Sequence, residues 1–97
     1  MGIGRNMKKI TKQEIKTMVE KLLSGNYDPE TFSYDFPVVM MELDDEELFG
    51  DDHGDICYVC SMYDEHIDPN DPIMKDMYDK KRFIRFFGDV YQKYLVN

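Results

Sequence analysis

The residues with the most chemistry to offer are His53, Cys57, Cys60 and His66, spaced His-x3-Cys-x2-Cys-x5-His. Zinc accepts all of these ligand types, and the first three fall on one face if the segment is helical. The spacing departs from the common zinc-finger patterns, and two cysteines a turn apart on a helix are more often core packing. The same pair, within Cys57-Tyr58-Val59-Cys60, would serve as a redox dithiol only with a strand before it and a βαβ framework around it, neither of which the sequence offers. Glu46, Asp52 or Asp55 could be set against His53 as a general acid and base, but no nucleophile or oxyanion hole accompanies them. Neither acidic cluster keeps the EF-hand calcium register, which needs a Glu in twelfth place where counting from Asp51 gives Met62. The expectation is a binding protein, not an enzyme, with no metal or other cofactor.

The charge distribution is more informative. Of 20 Asp and Glu, 15 fall in the 47 residues from Asn26 to Pro72, where there is no Lys or Arg. The ends are mildly basic, with six cations against two acids over 1–25 and six against three over 73–97, and the net charge is −8. A fold alone does not require such a distribution, so it speaks to partners. It argues against direct contact with nucleic acid, because a protein that grips phosphates needs cations on the gripping face. The run Lys80-Lys81-Arg82-Phe83-Ile84-Arg85 reads as the wet side of an amphipathic helix, neutralised by the protein's own acids. An acidic surface suits a basic protein, such as a nuclease whose cleft holds a polyanion. The candidate contact residues are Glu42, Asp44, Asp45, Glu46, Glu47, Asp51, Asp52 and Asp55, joined by Asp64 and Glu65. Among them Phe49, Tyr58 and Tyr63 are the candidate exposed anchors, since aromatics carry much of the energy at interfaces. The competing class is an acidic adaptor module that docks on a basic surface without inhibiting anything.

These residues must be positioned by a small domain. Ninety-seven residues, 42% hydrophobic and 13% aromatic, make a single globular unit. No run of about 18 apolar residues is present to span a bilayer and no signal peptide is evident, so the expectation is a soluble cytoplasmic protein with no membrane contact. Residues 1–10 are expected to be a mobile extension, and 11–97 a single helical domain. Thr11-Lys12-Gln13-Glu14 is a capping box, followed by Ile15, Met18, Val19, Leu22 and Leu23 at helical spacing and by a Ser24-Gly25-Asn26 stop. Asp28-Pro29-Glu30 opens a second helix along Phe32, Phe36, Val39, Met40 and Leu43, which Pro37 should kink or split. A third helix is expected from about Asp55 to Asp64 through Ile56, Val59, Cys60 and Tyr63. Strands over 38–43 and 56–62 remain the alternatives for these two segments. Asp71-Pro72 repeats the cap-then-proline start, predicting a last helix or helix pair along Ile73, Met77, Ile84, Phe87, Val90, Tyr91, Tyr94 and Leu95, with Gly88 at a bend or a close helix contact. The fold class is therefore all-α, a small antiparallel bundle of three to four helices.

The order of these features, a capped helix ending in a Gly turn, then Asp28-Pro29-Glu30-Thr31-Phe32-Ser33-Tyr34-Asp35-Phe36, an acid-rich connection, a helix ending near Tyr63-Asp64-Glu65 and a final amphipathic helix, resembles the small immunity proteins of the colicin D type. Those are bacterial antidotes that protect a toxin-producing cell from its own nuclease. The resemblance rests chiefly on Gly25 and the Pro-Glu-x-Phe helix start, about a third of the chain. Pro37 and the unclear aromatic signature after the second helix depart from the family pattern. The resemblance implies a four-helix antiparallel bundle whose acidic face occludes the toxin's active site in place of the RNA backbone.

Overall fold

The computed structural model describes residues 9–68, 70–74 and 76–96, and the all-α expectation holds: four helices, and among the described residues no strand beyond two isolated bridges. Helix α1 (Lys12–Leu23) is capped by Thr11, whose Oγ1 accepts from the Glu14 amide at 3.3 Å. It closes at Gly25, whose φ of 86° lets the Asn26 amide reach Lys21 O (2.8 Å) and the Gly25 amide reach Leu22 O (3.2 Å). These two bonds satisfy carbonyls that a helix end otherwise leaves open.

Helix α2 (Pro29–Met41) starts under Asp28, whose carboxylate accepts from the Thr31 amide at 3.0 Å. It runs through Pro37 as one element, so of the two expected outcomes, a kink or a split, the split does not occur. A proline inside a helix removes one backbone bond at a cost of about 3 kcal/mol. Here Phe32, Phe36 and Met40, all buried, hold both sides of Pro37 against the core. Helix α3 (His53–Ser61) follows a single 3-10 turn at Gly50–Asp52 and buries Ile56, Val59 and Cys60. Residues 38–41 and 56–61 are thus helical, and the strand alternatives are wrong. Tyr63 lies beyond the helix end, not inside it.

Helix α4 (Lys80–Val90) corrects the reading of the last segment. Asp71-Pro72 does not open a helix; the Asp71 carboxylate accepts from the Ile73 amide (2.9 Å) in a local turn, and Ile73 is 89% exposed. The cap is Asp79, which takes the Arg82 amide at 2.8 Å, and the inward residues are Phe83, Phe87 and Val90. Phe83 therefore belongs to the core and not to a wet face. A π-helical turn, Tyr91–Leu95, continues α4. Its wider spacing buries Leu95 five residues after Val90, where an α-helix would have turned Lys93 or Tyr94 inward.

The core is aromatic. Phe32 and Phe36 stack at 4.7 Å, and Phe87 meets both edge-on at 4.9 and 5.2 Å. Phe83 lies 5.0 Å from Phe87, and Tyr63 lies 4.5 Å from Phe83. Residues 1–8 lie outside the described residues, but Ile10 belongs to the domain and not to a mobile extension. Its amide donates to Glu42 O (2.7 Å) and its carbonyl accepts from the Asp44 amide (2.8 Å). α4 continues through Gly88, and a Cβ there would sit 3.9 Å from Leu23 Cδ2 of α1, an ordinary contact. Glycine in a helix interior costs about 1 kcal/mol relative to alanine. Gly88→Ala should therefore stabilise the fold by about 0.5–1 kcal/mol, read as a higher urea midpoint with an unchanged slope.

Candidate functional site

The acidic middle of the chain divides into carboxylates that hold backbone and carboxylates that do not. Asp45, Asp64, Asp68 and Asp71 each accept from the amide two residues on, at 2.8–3.0 Å. Such turns use the short Asp side chain to mimic a backbone acceptor. Asp35 accepts from the Tyr27 hydroxyl, and Glu20 from the Tyr91 hydroxyl at 2.6 Å, tying α1 to the turn after α4. Asp52 takes both Lys93 Nζ (2.8 Å) and the Tyr94 hydroxyl. These two bonds, Lys93 first, hold the Asp52 carboxyl below its ordinary range, and the same contact raises Lys93.

The remaining candidates behave differently. Glu42, Asp44, Glu46, Glu47, Asp51 and Asp55 are all exposed and make no side-chain hydrogen bond or ion pair among the described residues. Leu43 and Phe49, both buried, anchor the segment between α2 and α3 that carries most of them. The anchors need correction. Phe49 is fully buried, 5.4 Å from the Tyr94 ring, and Tyr63 is 8% exposed, so both are core residues. Tyr58 is 54% exposed and stays available.

Asp64 and Glu65 do not join the 42–55 group by chain. Glu65 lies beside Glu30, in the first turn of α2, whereas Glu42 caps the other end of that helix. At 1.5 Å per residue these ends are about 18 Å apart. Along the helix between them, Tyr34, Val38 and Met41 are 72%, 58% and 84% exposed. Their spacing of four and three places them on one stripe. This apolar stripe was missed in the sequence because the inward residues of α2 were read alone. The signal was present: Phe36-Pro37-Val38-Val39-Met40-Met41 is apolar on every face of its helix, and such a helix needs two surfaces to cover it.

The four residues weighed as zinc ligands, His53, Cys57, Cys60 and His66, do not converge. Cys60 is buried, which pushes its thiol up to about 12; Cys57 is half-buried; and His66 is exposed and belongs with Glu30 and Glu65. A cleft of about 170 Å³ lies between α3 and α4, where Asp55 and Asp89 face the apolar walls of Phe86 and Val90. Its third carboxylate, Asp52, is engaged by Lys93 and Tyr94. None of the described helices is long and apolar enough to cross a membrane. Comparison with family models, curated proteins and solved structures found no match.

Asp52 carries a pH prediction. Its native pKa is lowered, so the stability it contributes is present above the unfolded value of 3.8 and is lost as pH falls through the native value. Asp52→Asn should lower the thermal midpoint at neutral pH, and the difference from the parent should close in strong acid. An equal deficit at both pH values would show that the charge is not what matters.

Proposed function

We propose that this chain is an immunity-type inhibitor that binds a cognate basic toxin, a nuclease, in the bacterial cytoplasm. The observation that carries the reading is the stripe of Tyr34, Val38 and Met41 on α2, exposed on a helix whose two ends carry carboxylates. Apolar residues grouped on a surface and rimmed by charge are the usual composition of a protein interface. The carboxylates of Glu42, Asp44, Glu46, Glu47, Asp51 and Asp55 would steer a cationic partner and pair with its Lys and Arg; the stripe, with Tyr58, would supply the dry contact. Asp45, Asp52 and Asp64 serve local structure first and contribute charge at longer range. Phe49 and Tyr63 act beneath the surface, fixing the elements that carry it. Occlusion of the nuclease cleft by an acidic face is the mechanism implied by the resemblance to colicin D-type immunity proteins.

The test is inhibition and not capture alone. The tagged chain, incubated at low salt with lysate of its host, is expected to retain one basic polypeptide, and the purified pair is assayed for nuclease activity. The reading predicts one-to-one inhibition, an association rate that falls steeply with salt, and a loss of affinity of at least about 1 kcal/mol for Met41→Ala or Tyr34→Ala. A retained partner whose activity is untouched would favour the adaptor reading. Binding indifferent to salt and to the stripe would overturn this surface.

A further inference from the structure

Three side chains far apart in sequence meet at the N-terminal end of α2. Glu30, in the first helical turn, and Glu65 and His66, in the connection after α3, each bring one ligand atom within 4.8 Å of the others. Backbone bonding places the connection. The Tyr78 amide donates to Met62 O (2.9 Å), the Asp64 amide to Tyr78 O (3.0 Å), and the His66 amide to Asp64 Oδ1 (2.8 Å). His66 Nε2 then lies 3.5 Å from Glu65 Oε1.

A second observation points the same way. Tyr63 is more than nine-tenths buried, and its hydroxyl has no hydrogen-bond partner among the described residues. The charged groups close enough to act on it include Glu65 and Glu30 of this cluster, together with Asp28 and Asp64. A buried hydroxyl left unpaired is unfavourable. A water or carboxylate drawn in around a cation would accept its hydrogen, as the outer partners of metal sites commonly do in orienting the inner ligands.

We propose that Glu30, Glu65 and His66 form a binding site for a divalent transition-metal ion of the zinc class, completed by water. The imidazole selects against magnesium and calcium, which prefer all-oxygen shells, and an imidazole with two carboxylates suits zinc. Bound there, the ion neutralises a concentration of negative charge and clamps the connection after α3 to the start of α2. The site is independent of the inhibitor reading and of the pair Cys57 and Cys60.

The probe is Zn²⁺ itself, titrated calorimetrically into chelator-treated, buffer-exchanged full-length protein, with the thermal midpoint followed in parallel. The expected result is one saturable equivalent and a raised midpoint, neither reproduced by Mg²⁺. His66→Asn, Glu65→Gln and Glu30→Gln change surface side chains, and each should weaken binding by at least about tenfold, as should Tyr63→Phe, which keeps the buried ring. Cys57→Ser should leave binding unchanged. Loss of binding in Cys57→Ser with retention in His66→Asn would overturn the assignment. So would the absence of saturable binding, or several weak equivalents indifferent to every substitution, which would mean an adventitious ion only.

Discussion

The contact among Phe32, Phe36, Phe83 and Phe87 is the one on which the rest of the molecule depends. All four rings are fully buried, and they join α2 to α4. Each such ring pair is worth about 0.5–1.5 kcal/mol beyond the area it hides, and together they fix α2 firmly enough to tolerate Pro37 at its middle. The cluster extends outward along two lines. Phe36 meets Phe49, and Phe49 meets Tyr94, which brings the Asp52 contact and the acidic connection with it. Phe83 meets Tyr63, which carries the second acidic group, at Glu30, Glu65 and His66. Both acidic surfaces are therefore tied to the same aromatic centre, one through Phe49 and Tyr94 and the other through Tyr63.

That arrangement gives the two kinds of carboxylate their different work. Aspartates are spent on turns and caps: Asp28 and Asp79 start helices, and Asp45, Asp64, Asp68 and Asp71 close turns where the chain has little regular structure. A third of the carboxylates between Asn26 and Pro72, five of fifteen, are thus a consequence of building caps and turns with short acceptors. The residual charge, on Glu42, Asp44, Glu46, Glu47, Asp51 and Asp55, has no such use among the described residues. Self-repulsion among these groups opposes folding, and a partner would offset it.

Local signals told the elements apart well where they were self-contained. Thr11 to Glu14, the Gly25 stop and Asp28-Pro29 each specify a helix end by backbone chemistry within a few residues, and each was legible. The last helix was not, because Asp71-Pro72 and Asp79 carry the same kind of cap signal and only tertiary packing of Phe83 chooses between them. Phe49 and Tyr63 illustrate the other limit. An aromatic inside an acidic run is compatible with a surface anchor or with a core residue, and burial depends on what the chain folds against. The meeting of Glu30 with Glu65 and His66 was beyond reach for the same reason, since nothing in either segment names the other.

The claim that the carboxylates between α2 and α3 serve a partner and not the fold is tested most directly by thermal unfolding of the variant Glu42→Gln, Glu46→Gln, Glu47→Gln, Asp51→Asn, compared with the parent at low and high salt. None of these four side chains is bonded among the described residues, so removing their charge relieves repulsion and breaks nothing. The account predicts a higher midpoint for the variant at low salt and a difference that closes once salt screens the charges, on a length scale of about 10 Å at 0.1 M. A variant less stable than the parent at low salt would contradict it, and would assign those carboxylates to the architecture of the domain.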